Sequence, residues 1–97
     1  MRIDYTEEAI GSIESLADYL QPLNPAAALQ ARAALYDLIQ ILCAFPKIGR
    51  RQNAPGVRKL SLRKYKYLIY YHLDEAAEVV TILTVRHSSR ERAFSDS

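Results

Sequence analysis

Alternating apolar and polar side chains mark the second half of the chain. Successive side chains of a β-strand point to opposite faces, so residues 65–73 would divide into two sets. One set is aromatic and aliphatic, and is predicted to be buried: Tyr65, Tyr67, Ile69, Tyr71 and Leu73. The other set is mixed, which suits a sheet face open to water or to a partner. It consists of Lys66, Leu68, Tyr70 and His72.

Two further apolar runs flank this strand, at residues 57–62 and 79–85. The later run is apolar on both sides, and we therefore expect it near the centre of a sheet. Its predicted faces are Val79, Thr81, Leu83 and Val85 on one side, and Val80, Ile82 and Thr84 on the other. The link at residues 74–77 is a short acidic turn. Three runs with short links predict a three-stranded antiparallel meander.

Helical spacing dominates the first half of the chain. Residues 2–5 alternate and predict a short opening strand, after which Thr6 is a suitable N-cap for a first helix. The apolar stripe of that helix is Ala9, Ile10, Ile13, Leu16, Ala17 and Leu20. Pro22 should end it, because the residue before a proline is disfavoured in helical conformation.

Asn24 and Pro25 form a second helix start, and the Ala- and Leu-rich segment that follows predicts a helix to about Phe45. Its buried side is predicted to be Leu29, Leu35, Tyr36, Ile39, Leu42 and Cys43. A loop of about three residues between two helices indicates an antiparallel helical hairpin. The predicted fold is therefore α+β: an N-terminal strand, a helical hairpin on one face of the sheet, and a three-stranded meander.

Composition agrees with a single domain over residues 1–97 that folds without a cofactor. The apolar fraction is 49%, which allows a core without metal or disulfides. Cys43 is the only cysteine, and we interpret it as a small core residue. No Gly-rich phosphate loop or metal-ligand spacing is present in the sequence. Acids in the first eight residues do not fit a signal peptide, and no apolar run has the length of a membrane span, so a soluble cytoplasmic protein is predicted.

Charge is distributed unevenly along the chain, although the net charge is only +2. Residues 47–66 contain no acid but carry Lys47, Arg50, Arg51, Arg58, Lys59, Arg63, Lys64 and Lys66. Among the charged residues before Lys47, acids predominate: Asp4, Glu7, Glu8, Glu14, Asp18 and Asp37 are balanced only by Arg2 and Arg32. A patch of one sign, interleaved with aromatics, indicates binding of a polyanion or of an acidic protein. The simpler alternative is a solvated surface.

Groups able to transfer protons lie near this basic segment. His87 and Arg90 follow the last predicted strand, while Tyr70 and His72 share the mixed face with Lys66. Such a cluster could supply acid–base chemistry for cutting RNA. It could equally be the polar rim beneath a bound partner, with His87 making a structural hydrogen bond.

The order of elements and four short motifs resemble the RelE/ParE superfamily of bacterial toxins over almost the whole chain. The motifs are Phe45-Pro46-x-Ile48-Gly49-Arg50, Gly56-Val57-Arg58-Lys59-Leu60, Tyr67-x-Ile69-x-Tyr71 and Ile82-Leu83-x-Val85-x-His87-x-x-Arg90. The resemblance implies the toxin of a type II toxin–antitoxin system. RelE-like members cut messenger RNA on the ribosome, whereas ParE-like members poison DNA gyrase.

A RelE-like activity would use basic residues of the meander and a C-terminal Tyr or His. The matching positions here are Lys59, Arg63, His87 and Arg90. The set is incomplete, because Ser61 replaces a usual lysine, Leu68 replaces a common arginine, and no tyrosine follows Tyr71. A nuclease needs both a proton acceptor and charge stabilisation. Since the His87-x-x-Arg90 element is also ParE-like, a ParE-like gyrase inhibitor without catalytic residues is favoured.

The resemblance also implies two binding surfaces. The predicted contact surface for gyrase is Arg58, Arg63, Lys64, Arg86, His87 and Arg90. A cognate antitoxin would bind apolar side chains exposed on the open sheet face and along the hairpin, forming a hetero-oligomer. The predicted antitoxin contacts are Leu16, Leu20, Leu68, Tyr70 and His72. The alternatives are a ribosome-dependent endoribonuclease and a non-toxic antitoxin-binding module.

Overall fold

The computed structural model describes residues 1–20, 24–62 and 66–87, and for residues 17–20, 27 and 62 it describes the backbone alone. In chain order these residues form β1 (Arg2–Tyr5), α1 (Glu7–Leu20), α2 (Pro25–Ala44), β2 (Arg50–Arg51), β3 (Val57–Leu62), β4 (Tyr67–Asp74) and β5 (Val79–His87). Within these ranges, neither helix has the length and apolar character needed to cross a membrane.

The strands form one sheet in the order β1-β5-β4-β3-β2. The predicted meander is confirmed, because β3, β4 and β5 pair antiparallel in sequence order. The last strand has a neighbour on each side, as its apolar character predicted. Two features were not predicted: β1 pairs with β5 in parallel, and the two residues of β2 pair with β3.

Both helices pack on one face of the sheet, as predicted. Tyr71, Ile69, Val80 and Ile82 lie on the covered face and are fully buried. The helices contribute Ala9, Ile13 and Leu16 from α1, and Ala31, Leu35, Ile39 and Leu42 from α2. The four residues of β4 assigned to the buried face from alternation, Tyr67, Ile69, Tyr71 and Leu73, are all buried.

The buried side of α2 differs from the prediction at two positions. Leu29 is 69% exposed and Tyr36 is 43% exposed, whereas Ala28 and Ala31 are buried. The helix is turned so that its alanines, with Leu35, Ile39 and Leu42, lie inward. Small side chains at a helix contact let neighbouring backbones approach closely, and hydrophobicity alone did not identify this stripe. Cys43, predicted in the core, is half-buried.

A β-bulge changes the faces of β5. Tyr70 pairs with Thr84, but Tyr71 pairs with Ile82, so Leu83 has no partner in the ladder with β4. An extra residue of this kind resets the alternation beyond it. Val85 therefore joins Val80 and Ile82 in the core, and its predicted place on the face of Val79 and Thr81 is wrong.

The start of α1 supplies hydrogen bonds to the bulged part of β5. The Thr6 hydroxyl accepts the Ala9 N–H at 2.9 Å, as an N-cap does, and donates to the Leu83 carbonyl at 2.7 Å. The Ser12 hydroxyl donates to the Ala9 carbonyl at 2.9 Å and accepts the Val85 N–H at 3.0 Å. These side chains continue the hydrogen bonding of β5 beyond the end of β1.

Candidate macromolecule-binding surface

Strand register divides the basic segment between two faces of the sheet. Arg50 lies opposite Lys59, which lies opposite Tyr70. Arg51 lies opposite Arg58, which lies opposite the buried Tyr71. The first row therefore belongs to the open face and the second to the helix-covered face. The single cationic surface expected from the sequence is two separate surfaces.

Arg58 is engaged in internal hydrogen bonds. Its guanidinium donates to the carbonyls of Lys47 at 3.1 Å and Gly49 at 2.8 Å. Both carbonyls belong to the loop between α2 and β2. Arg58 therefore holds that loop in position. It was predicted to be a target-binding cation, but its guanidinium is used within the protein.

Tyr71 holds the same loop from the core. Its hydroxyl donates to the Pro46 carbonyl at 2.7 Å and accepts the Gly49 N–H at 2.8 Å. A Cβ atom on Gly49 would lie 2.5 Å from the Tyr71 hydroxyl oxygen, so glycine is needed at this close approach. Burial raises the pKa of Tyr71, which keeps the hydroxyl protonated and able to donate.

Strand register assigns three cations to rows of the open face. The Lys59 ammonium lies 5.9 Å from the centre of the Tyr70 ring. Arg86 lies in the neighbouring row, opposite Leu68, which in turn lies opposite Ser61. Its guanidinium also forms a 3.1 Å ion pair with Glu8 at the start of α1. We name Arg50, Lys59 and Arg86 the open-face cations.

His87 lies on the opposite face from Lys59. It pairs with Tyr67 across β4 and β5, and their rings meet edge to face with centroids 5.7 Å apart. Since Tyr67 is buried in the core, the two described members of the predicted nuclease set, Lys59 and His87, do not converge. Arg63, Lys64 and Arg90 lie outside the described residues.

The predicted antitoxin contacts need two corrections. Leu16 is 7% exposed and Leu68 is 8% exposed, so the expectation that they are available on the surface is wrong. Leu16 belongs to the core beneath the sheet, and Leu68 lies between Ser61 and Arg86, whose strands flank it on both sides. Tyr70 and His72 are half-buried, and the side chain of Leu20 is outside the description.

Exposed apolar side chains occur instead at positions outside the predicted antitoxin contacts. Two of them, Ile10 and Tyr36, were predicted on the apolar sides of their helices. Ile10 of α1 is 50% exposed and, with Tyr5 and Tyr36, lines a groove of about 240 Å³ between the helices. Ile13, Glu14 and Arg32 complete that lining. A second set follows the end of α2, where Phe45 is 65% exposed. The exposure of the second set could have been predicted, because Phe45 and Pro46 stand where the helical pattern ends. Nothing in the sequence distinguished Tyr36 from a core residue.

A polar groove of about 660 Å³ lies at one end of the sheet, beside the β3–β4 pair. Arg51, Arg58 and His72 contribute to its lining, and Asp74 and Glu75 add acids. Its mixed charge does not favour one class of ligand. Among the described residues, no cluster of three or more His, Cys, Asp or Glu side chains could hold a metal ion.

Comparison with known proteins agrees with this fold. The Sinorhizobium fredii protein named "Putative toxin Y4kP" is 26% identical over 82 residues, covering 84% of this chain and 85% of that protein. The chromosomal ParDE toxin–antitoxin system of P. aeruginosa contains a chain of similar fold, with a TM-score of 0.76 and 23% identity. That match covers 90% of this chain and 95% of the other. The isolated E. coli RelE toxin matches with a TM-score of 0.72 and 20% identity, over 98% and 92% of the two chains.

The family pattern described as the ParE toxin of the type II toxin–antitoxin system parDE matches residues 3–92. This range includes every described strand and both helices except for the first residue of β1. The chain therefore belongs to the ParE toxin family of type II toxin–antitoxin systems.

Proposed function

We propose that this ParE toxin inhibits DNA gyrase by binding it, and so blocks replication, without cutting RNA. The observation that carries this choice over a nuclease is the separation of Lys59 from His87 on opposite faces of the sheet. General acid–base catalysis requires its groups within hydrogen-bond reach of one substrate. The uncharged pair Ser61 and Leu68 in the middle of the open face supports the same choice.

The test is supercoiling by purified gyrase with increasing toxin. We expect loss of supercoiling and accumulation of cleaved DNA–gyrase complex. The double reversal Arg50→Glu, Lys59→Glu should weaken inhibition about tenfold or more, because like charges would then oppose an acidic site. The matched control is Arg2→Glu, which reverses an exposed charge on β1, at the opposite edge of the sheet. Normal supercoiling at excess toxin would contradict the proposal.

Transcript-end mapping after brief expression decides between gyrase and the ribosome as targets. We expect no codon-specific cleavage. Cleavage that disappears in Lys59→Ala would establish the nuclease instead. A chain that leaves growth unchanged when expressed alone would be the non-toxic binding module.

We also propose that a cognate antitoxin covers the groove between the helices. The fold is shared with a chain of the E. coli RelBE toxin–antitoxin complex, at a TM-score of 0.68 and 20% identity. In this chain, Tyr5, Ile10 and Tyr36 offer exposed apolar area beside Arg32 and Glu14, which suits an amphipathic helix. If a neighbouring reading frame encodes a short acidic protein, co-expression with that protein should yield a complex that Ile10→Lys, Tyr36→Lys disrupts. Unchanged co-purification would place the antitoxin elsewhere.

A further inference from the structure

Three large apolar side chains are exposed where α2 ends. Ile41 is 42% exposed, Phe45 is 65% exposed and Ile48 is 51% exposed. The Phe45 N–H donates to the Ile41 carbonyl at 2.8 Å, so the two residues lie one helical turn apart on the same face. The Ile48 N–H donates to the Phe45 carbonyl at 3.1 Å, which turns the chain back beside Phe45. We name these three residues the apolar corner.

The apolar corner is separate from the groove between the helices. The buried stripe of α2 runs through Ala31, Leu35 and Leu42. At the spacing of an α-helix, Leu29 and Tyr36 lie on one flank of this stripe, and Ile41 and Phe45 lie on the other. The protein therefore has two distinct exposed apolar surfaces, and an antitoxin in the groove leaves the corner unused.

The loop that displays the corner is held in place by the core. Tyr71 bonds the Pro46 carbonyl and the Gly49 N–H, while Arg58 bonds the carbonyls of Lys47 and Gly49. These bonds satisfy four backbone groups within residues 46–49. A surface fixed in this way loses little conformational entropy when it binds, which is the property of a preorganised contact. Exposed apolar residues on such a loop indicate a recognition surface.

Charge around the corner defines the chemistry of its partner. Lys47, Arg50 and Arg51 are exposed within residues 47–51, which contain no acid, and Arg50 and Arg51 lie on opposite faces of the sheet. The only ion pair among them in the described parts joins Lys47 to Glu75 at 2.8 Å, and both side chains are mostly exposed. A partner should therefore present an apolar pocket with an acidic rim. Branched aliphatic side chains such as Ile41 and Ile48 do not stack on bases, so a protein is favoured over a nucleic acid.

We propose that Phe45 and Ile48 of the apolar corner insert into an acidic-rimmed apolar site on the protein target of the toxin, and that the surrounding cations orient this contact. The inference rests on the proposed function, which takes gyrase as that target. It assigns the anchoring contact to a surface that the basic-residue pattern alone did not indicate.

The test compares a corner variant with a control of matched chemistry. Phe45→Ser, Ile48→Ser removes the corner, and Leu29→Ser removes an exposed apolar residue from the opposite flank of α2. Each protein is measured for thermal unfolding, for binding to purified gyrase, for inhibition of supercoiling and for growth arrest. The corner variant should lose affinity about tenfold or more, since buried aromatic anchors dominate interfaces, while the control changes about twofold or less. Both variants should melt within a few degrees of the parent chain.

The outcomes separate the corner from the choice of gyrase. Wild-type inhibition of gyrase that the corner variant retains in full would overturn the corner and leave the proposed function standing. Growth arrest without gyrase inhibition would overturn the proposed function, and retention of arrest by the corner variant would then overturn the corner as well. Binding to duplex DNA without gyrase is measured for the same proteins. If the corner variant loses DNA binding as strongly as it loses gyrase binding, the corner contacts nucleic acid, which contradicts the inference. A wild-type chain that neither inhibits gyrase nor arrests growth would overturn both the proposed function and the role of the corner.

Discussion

Single residues in this toxin have tasks that their chemistry alone did not reveal. Arg58 was predicted to lie on a cationic surface, and Tyr71 on the buried face of the sheet. Together their side chains fix the loop at residues 46–49. Gly49 is part of the same arrangement because the Tyr71 hydroxyl occupies the space of a side chain. The Phe45-to-Arg50 motif is therefore explained by loop geometry as well as by surface chemistry.

Gly49→Ala should destabilise the protein by about 1–3 kcal/mol, because the added methyl group meets the Tyr71 hydroxyl. The cost should fall only in part in a Tyr71→Phe background, because removing the oxygen leaves two ring carbons of the residue 71 side chain at 2.7 and 2.9 Å from the added Cβ. Urea unfolding of the two single variants and the double variant measures this coupling. Gly11→Ala is the control, since nothing lies within 4 Å of its added Cβ and alanine favours a helix. Equal costs at both glycines would contradict the explanation.

Burial of Tyr67 predicts a loss of stability in alkali. Burial raises the pKa of Tyr67 above its ordinary value of 10.0. The stabilising contribution is therefore complete below pH 10.0 and is lost as pH rises through the higher pKa of the folded state. Urea unfolding between about pH 8 and pH 11 should show a shallower decline for Tyr67→Phe than for the parent. Parallel declines for the two proteins over this pH range would contradict the prediction.

At the scale of elements, the joint between α1 and β5 determines how the sheet is completed. Hydroxyls of Thr6 and Ser12 bond backbone groups of Leu83 and Val85, on either side of Thr84. The bulge at Leu83 places Val85 in the core and Arg86 on the open face. The ion pair between Glu8 and Arg86 ties the same two elements at the surface. The helix thereby helps to position a candidate contact residue.

Ser12→Ala should cost about 1–3 kcal/mol of unfolding free energy, because it leaves the Val85 N–H without its acceptor. Ser15→Ala, at an exposed position on the same helix, should change stability by less than about 0.5 kcal/mol. Chemical denaturation gives both values, and amide exchange at Val85 should accelerate only in the first variant. An unaltered exchange rate there would show that the hydrogen bond is dispensable.

At the scale of the whole molecule, the toxin presents several surfaces on one small sheet. The open-face cations, the groove between the helices and the apolar corner are built by different elements. A toxin that binds both an antitoxin and a target can use such surfaces separately. Whether binding at one blocks another depends on the size of the partner, since the chain has only 97 residues.

Binding of the toxin to purified gyrase should weaken as salt is raised from about 50 to about 300 mM, because exposed charges are screened at these concentrations. Lys59→Ala should reduce this salt dependence, since it removes one open-face cation. Phe45→Ser should lower affinity at every salt concentration without changing the slope. Binding that is independent of salt would argue against a contact through the cations.

The fold was largely predictable, but the arrangement of the surface was not. Alternation in β4 correctly identified Tyr67, Ile69, Tyr71 and Leu73 as buried, and the short links identified the meander. The bulge depends on packing against α1, which no local pattern in β5 records. Arg58 and Lys59 lie on opposite faces of the sheet, and which face each takes can be assigned only when the strand register is known. The buried side of α2 includes alanines, which hydrophobicity alone does not identify.

The parallel pairing of β1 with β5 has a consequence for synthesis. Residue 2 lies opposite residue 79, so the first strand to leave the ribosome waits for the last described strand before it can pair. Until then the nascent chain holds only β2, β3 and β4 of the sheet that covers the apolar stripe of the helices. Folding of such distant partners is slow relative to local hairpins. The sheet, and with it the row of the open face that β5 carries, is therefore completed late in synthesis.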